Sequence, residues 1–191
     1  LFLTATLSLI LLSARAATYT SVRSGNWNAP STWGSASYPV TGDEVFISEG
    51  HNINVTTDAA CATVTFTGRS GSLTVNSPFT LTLSGNLTLR KQSNANVACS
   101  ISGSGILVCS NVAVGSDDNS PSNNNTTRTH VLTSSIAALT ISGNLSINSY
   151  RRNNNRVRNG SFYLDDGIVS VGGSVITTNQ HNSNISTLTM A

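Results

Sequence analysis

A nine-residue pattern that returns along the C-terminal half of the chain constrains the fold more than any other feature. Residues 81–89 read LTLSGNLTL, and residues 139–147 repeat them almost letter for letter as LTISGNLSI. Looser copies are VSVGGSVI at residues 169–176 and LVCSNVAV at residues 107–114. The residues before each turn recur at steps of about 26, 32 and 30 residues, which is typical of stacked repeats; they are Leu83, Cys109, Ile141 and Val171.

Alternation within each copy predicts β-strands with one apolar face. In residues 80–83, Leu81 and Leu83 point to one side and Thr80 and Thr82 to the other, since side chains alternate along a strand. We expect the aliphatic side to fill the interior, each buried side chain contributing about 1.5–3 kcal/mol. Glycine tolerates positive φ, which predicts tight corners at Gly85, Gly143 and Gly173.

Together these patterns predict one all-β domain, a right-handed parallel β-solenoid with an N-terminal cap. The 191 residues suit a single domain. Charged residues make up only 9% of the chain and the formal net charge is +2. A chain with so weak a field is a poor candidate for binding nucleic acid, which we exclude as a partner.

The N-terminus resembles a secretory signal. Residues 1–12 are apolar, and Ala14-Arg15-Ala16 supplies a small-x-small cleavage site, so residues 1–16 are interpreted as a signal peptide whose basic n-region is missing. The apolar run is too short for a stable membrane span. We therefore expect a secreted, extracellular or cell-surface protein, with a retained pilin-like helix as the alternative.

Residues 17–60 hold both tryptophans of the chain and are expected to form the cap and the first strands. A stack of strands exposes apolar side chains and unpaired backbone groups at its first turn, so this end needs a cover. We assign the cap to Trp27, Trp33, Pro39, Gly42 and Asp43. Residues 61–191 are then the solenoid repeats, which we expect to continue beyond Ala191.

This N-terminal segment resembles a known family. The motifs are GNW at residues 25–27, PSTWG at 30–34, PVTGDEVFI at 39–47 and GHNINV at 50–55. They are similar to the start of G8-type β-helical domains and of related segments in large secreted proteins of Bacteroidota. Over residues 24–90, the resemblance implies an extracellular right-handed β-helix module that contacts carbohydrates or surfaces, followed by further domains of a longer chain.

Three polar insertions separate the later repeats, at residues 116–129, 149–160 and 178–184. Stacking would place them along one edge, where loops commonly carry binding function. The second insertion is rich in arginine, whose guanidinium matches carboxylate and sulfate groups. We predict that it binds acidic polysaccharides through Tyr150, Arg151, Arg152, Arg156 and Arg158; the alternative is a solvated loop.

Acidic pairs occur at Asp117-Asp118 and Asp165-Asp166. Adjacent strand residues point to opposite faces, so Asp165 and Asp166 cannot by themselves form the acid and base of a glycosidase. Asp117 and Asp118 are weak candidates for Ca²⁺, and no other cofactor is expected. His51 is interpreted as a polar turn residue.

The three cysteines leave two alternatives open. Cys99 and Cys109 flank a turn and would form a disulfide, or Cys61, Cys99 and Cys109 all pack as small buried residues. The sequence has no cluster of cysteines and histidines, so we predict no zinc site.

These observations predict a non-catalytic module that binds extracellular glycans or surfaces, or supports adhesion. A polysaccharide-degrading β-helix enzyme and a self-assembling filament or surface-layer protein are the alternatives. Pairs of outward-facing threonines also suggest an ice-binding function. The rows of threonines are short and the loops irregular, which disfavours this alternative.

Overall fold

The computed structural model describes residues 15–89, 96–115, 128–151, 157–179 and 187–190. Within these ranges lie seventeen strands and one short helix, α1 (Pro30–Trp33). The strands are β1 (Thr18–Thr20), β2 (Gly25–Asn26), β3 (Glu44–Ile47), β4 (Asn52–Val55), β5 (Ala59–Cys61), β6 (Thr63–Phe66), β7 (Ser70–Val75), β8 (Thr80–Leu83), β9 (Asn86–Leu89), β10 (Val97–Cys109), β11 (Asn111–Val114), β12 (Arg128–Ile141), β13 (Leu145–Arg151), β14 (Val157–Leu164), β15 (Ile168–Val171), β16 (Val175–Asn179) and β17 (Thr187–Met190). The expectation of an all-β protein with parallel strands is confirmed.

The strands form three parallel ladders. Ladder one joins β1, β3, β6, β9, β11, β13 and β16. Ladder two joins β2, β4, β7, the first parts of β10 and β12, β14 and β17. Ladder three joins β5, β8, the second parts of β10 and β12, and β15. From β3 onward the chain visits the ladders in the order one, two, three and then begins again.

The register of ladder three matches the repeat read from the sequence. Leu81 pairs with Leu107, Leu107 with Leu139, and Leu139 with Val169. These partners recur at the predicted steps of about 26, 32 and 30 residues. The strand-turn-strand copies are therefore neighbours in space as well as in pattern.

The core lies on the inward side of all three ladders. Leu81 and Leu83 are buried while Thr82 is exposed, as alternation predicts. All three ladders contribute to one apolar cluster. Burial decreases toward the last described strands: Leu145 is 1% exposed, whereas its partner Val175 is 46% exposed.

The corner glycines have a different role from the one expected. Gly85, Gly143 and Gly173 are not among the glycines with positive φ, so the φ argument is wrong for them. A Cβ on Gly143 would lie 2.8 Å from the carbonyl oxygen of Ser110. Glycine is needed here because successive corners stack closely.

Asparagines at three successive corners, Asn86, Asn111 and Asn144, form a ladder of side-chain hydrogen bonds. Asn111 Nδ2 donates to Asn86 Oδ1 at 2.9 Å, and Asn111 Oδ1 accepts from the backbone N–H of Asn144 at 2.9 Å. Asn144 Oδ1 in turn accepts from the N–H of Ser174 at 2.9 Å. The corner asparagines therefore connect one corner to the next, although Asn111 follows a serine where Asn86 and Asn144 follow a glycine.

The polar insertions all connect a ladder-one strand to a ladder-two strand. Residues 116–127 separate β11 from β12, residues 152–156 separate β13 from β14, and residues 180–186 separate β16 from β17. The strand ends that flank them lie where ladder one passes to ladder two, but most residues of the three insertions lie outside the described ranges, so their placement along one edge stays a prediction. The loop expected at residues 149–160 is partly strand, because β13 extends to Arg151 and β14 begins at Val157.

Candidate functional site

A cleft of about 610 Å³ lies between the N-terminal segment and the outer surface of ladder three. One wall is the loop containing Tyr38, Pro39 and Val40; the other includes Thr80 and Thr82 of β8. Small-molecule sites typically measure about 300–1,000 Å³, so the cleft has the size of a ligand site.

The loop wall is held in place by buried groups. Trp27 donates its indole N–H to the carbonyl oxygen of Pro39 at 3.1 Å. The carboxylate of Asp43 accepts the N–H of Val40 at 2.9 Å and that of Ala17 at 2.8 Å. Because Trp27 and Asp43 are buried, they can hold the exposed Tyr38 and Val40 in a defined position.

The ladder wall follows from strand alternation. In β8 the leucines point inward, so Thr80 and Thr82 present their hydroxyls to the outside. Ala60 of β5 is the register partner of Thr82, and its small side chain leaves room above the sheet. At the corner before β5, Asp58 Oδ1 accepts the backbone N–H of Thr80 at 2.8 Å.

The cleft combines three kinds of chemistry. Tyr38 is 42% exposed and Val40 is 53% exposed, which gives an apolar surface beside solvent. Threonine hydroxyls at positions 57, 80 and 82 can donate and accept hydrogen bonds. Asp58 supplies a carboxylate, and no lysine, arginine or histidine is among the described residues that line the cleft.

The five residues assigned to the cap lie together. Trp27 and Trp33 are buried with their rings edge to face at a centroid distance of 5.4 Å. Trp33 donates its indole N–H to the carbonyl oxygen of Trp27 at 2.7 Å. The carbonyl oxygen of Pro39 accepts the indole N–H of Trp27, and Asp43 accepts the N–H of Val40 in the adjacent loop, where Gly42 has a φ of 93°. Their role as a cover for the first strands stays a prediction.

The arginine segment is described only in part. Arg152 and Arg156 lie outside the described residues. The backbone pairs Tyr150 with Arg158 across an antiparallel contact between β13 and β14. Arg151 lies opposite Val157 in the same contact. This segment belongs to the edge between ladders one and two, whereas the cleft belongs to ladder three.

Cys61, Cys99 and Cys109 are free, buried thiols, so the structure does not contain the Cys99–Cys109 disulfide. Cys99 lies in the part of β10 that pairs in ladder two, and Cys109 ends the part that pairs in ladder three. Burial raises the pKa of each thiol from 9.0 to about 12, with the charge of Asp43 adding to the effect at Cys61. Thiols in this state are unreactive.

The remaining candidates do not form a site within the described part of the chain. Asp117 and Asp118 lie outside it, and its His, Cys, Asp and Glu residues form no group of three that could hold a metal. His51 Nδ1 shares a hydrogen bond with Ser21 Oγ at 2.8 Å, which is a structural contact in a turn. Asp166 lines a separate groove of about 530 Å³ with Ser104 and Ser135.

Sequence reasoning missed the cleft. Strand alternation predicted that Thr80 and Thr82 face outward. No motif or spacing in the sequence marked Tyr38 or Asp58 as binding residues. Their shared position on the cleft depends on where the N-terminal loop lies relative to ladder three, and this loop has no counterpart in the repeat.

None of the helical segments in the described ranges has the length and hydropathy that a membrane crossing requires. Comparison with protein-family models, curated proteins and solved structures gives no match. The resemblance to G8-type domains therefore rests on the motifs of the N-terminal segment alone.

Proposed function

We propose that this protein is a secreted β-solenoid module that binds glycans at extracellular surfaces without cleaving them. The proposal of a solenoid is supported by the repeated order of the three ladders, in which each strand pairs with the strand one repeat later. Right-handed winding is expected, since parallel crossover connections are right-handed in nearly all cases. Secretion rests on the apolar N-terminal run and the cleavage site that follows it.

The cleft beside Tyr38 is the observation that carries the binding proposal. Sugars present an apolar face of C–H groups and an edge of hydroxyls. Tyr38 and Val40 offer a surface for the first, while Thr80, Thr82 and Asp58 offer hydrogen-bond partners for the second. The loop is held by buried hydrogen bonds, so little ordering is needed when a ligand binds.

Binding is favoured over hydrolysis by the number of carboxylates. A glycosidase of the usual kind needs two carboxyl groups that flank the scissile bond. Asp58 is the one acidic residue among the described residues that line the cleft. A hydrolytic role would need a second acid from outside this surface.

The arginine segment is a second proposed surface, suited to acidic glycans. Arg158 pairs with Arg128 in the parallel register of β12 and β14 and with Tyr150 across the antiparallel contact. The backbone therefore concentrates basic residues at the edge between ladders one and two. Arginine forms bidentate hydrogen bonds with carboxylate and sulfate groups.

A glycan array tests the proposal and locates the surface. Thr82→Trp would fill the cleft from an exposed strand position, and Thr140→Trp is the matched control at an exposed position of the same ladder, outside the cleft lining. We expect the purified protein and the control to bind array glycans and Thr82→Trp to lose most of the signal.

A third variant replaces Arg151, Arg152, Arg156 and Arg158 with alanine. Circular dichroism would verify that each variant is folded. If the folded wild-type protein bound no glycan, the proposed function would be wrong. Binding that survived Thr82→Trp but disappeared in the arginine variant would move the site to the other edge.

A further inference from the structure

We infer that the cleft is selective for uncharged glycans over acidic ones, and that Asp58 determines this selectivity. This inference rests on the proposed function and names the ligand class of the cleft. It differs from the expectation for the arginine segment, whose charge favours acidic polymers.

Asp58 is oriented before any ligand arrives. Its Oδ1 accepts the N–H of Thr80 at 2.8 Å, which fixes the carboxylate at the start of β8. Its Oδ2 makes no hydrogen bond with the described part of the chain. A carboxylate oxygen accepts strong, charge-assisted hydrogen bonds, and neighbouring hydroxyls on a sugar ring are suitable donors.

The charge of the cleft opposes an acidic ligand. Asp58 carries the one formal charge among the described lining residues, and no basic side chain there offsets it. A uronate or sulfate group bound within hydrogen-bonding distance of Asp58 would meet a like charge, and although solvent screens this exposed carboxylate, the repulsion remains at such short range. An uncharged sugar avoids this repulsion and keeps the hydrogen bonds.

Tyr38 supplies the complementary apolar contact. The residue is 42% exposed and lines the same cleft as Thr80 and Thr82, beside Val40 at 53% exposure. The hydrogen bonds of Trp27 and Asp43 fix the loop that carries both residues. The backbone that carries Tyr38 is therefore held in place, and its ring can contact the C–H face of a sugar unit.

Titration calorimetry with defined hexasaccharides tests the inference. The probes are neutral hexaoses of glucose, mannose and xylose, and an acidic hexaose of galacturonate. The parent protein and every variant below carry the four arginine-to-alanine changes in the segment at residues 151–158, so acidic binding at that edge does not interfere. The protein without these changes is measured in parallel.

Asp58→Asn keeps an oxygen that can accept the N–H of Thr80 but removes the charge. We expect it to weaken binding of the best neutral hexaose by roughly tenfold or more and to strengthen binding of the galacturonate hexaose. Tyr38→Ala should weaken neutral binding by a similar factor.

The matched controls are Asp166→Asn and Tyr163→Ala. Asp166 also accepts a backbone N–H, from Gly167, but lies in the other groove. Tyr163 is 37% exposed and does not line the cleft. Neither control should change the affinity for any hexaose by more than about twofold.

Two outcomes would overturn the inference while leaving glycan binding intact. One is a preference for galacturonate that Thr82→Trp abolishes in the protein with the four arginines replaced. The other is neutral binding that Asp58→Asn and Tyr38→Ala leave unchanged. Absence of binding to every hexaose and every array glycan would instead overturn the proposed function itself.

Discussion

At the scale of single residues, the corner glycines show how closely the repeats approach one another. Gly143 donates its backbone N–H to the carbonyl oxygen of Ser110 at 2.7 Å. A Cβ at this position would meet both that oxygen and Oδ1 of Asn111. The backbone oxygen cannot move without disturbing the corner before it, so any larger residue strains two repeats at once.

We predict that Gly143→Ala lowers the free energy of unfolding by about 1–3 kcal/mol, as overpacking usually does. Gly71→Ala is the matched control, because a Cβ there would meet its nearest atom, the oxygen of His51, only at 3.3 Å. Urea denaturation of both variants checks the prediction. Equal loss of stability in the two would show that close stacking is not the reason for glycine at the corner.

At the scale of elements, the loop of residues 38–43 is organised by one buried carboxylate. Asp43 accepts hydrogen bonds from Ala17 and Val40, and its own N–H donates to the carbonyl oxygen of Val40 at 3.1 Å. The adjacent tryptophans pack edge to face and fix Pro39. The cleft wall thus depends on contacts that its own exposed residues do not make.

We predict that Asp43→Asn destabilises the protein by about 1.5–3 kcal/mol, the usual contribution of hydrogen bonds to a charged group. The amide would place a donor against one of the two backbone N–H groups. Glu44→Gln, at the exposed neighbouring position, should have little effect. Chemical denaturation followed by tryptophan fluorescence measures both, and a Glu44→Gln loss as large as that of Asp43→Asn would contradict the prediction.

At the scale of the whole molecule, the interior holds three thiols that cannot ionise in the folded state at moderately alkaline pH. Their pKa values rise from 9.0 to about 12. In the unfolded chain a thiol ionises near about 8.5. The folded protein therefore keeps protons that the unfolded chain releases, so the stabilisation is complete below pH 8.5 and is lost as the pH rises toward 12.

We predict that the free energy of unfolding falls between pH 9 and pH 11 by up to about 1.4 kcal/mol per pH unit for each thiol. Urea titrations at several pH values measure this slope. In each single variant, Cys61→Ala, Cys99→Ala and Cys109→Ala, the part of the slope that comes from the thiols should fall by about a third. An unchanged slope would mean that the thiols are accessible.

The sequence was informative where the chain repeats. Leu81, Leu107, Leu139 and Val169 could be aligned in advance because periodic spacing and strand alternation are local properties, and the register confirms them. The same reasoning assigned the wrong cause to Gly143, since contact between corners depends on neighbours far away in sequence. For the cysteines it left two alternatives, and the structure contains free thiols.

The candidate site shows the limit of local patterns. Strand alternation and repeat spacing act along the chain, so they were sufficient to predict parallel strands with an aliphatic interior and polar outer side chains. The placement of Tyr38 and Val40 on the same cleft as Asp58 and Thr82 is a property of the tertiary structure. It follows from where a non-repeating loop, held by Trp27 and Asp43, lies relative to ladder three, and no spacing in the sequence encodes that position.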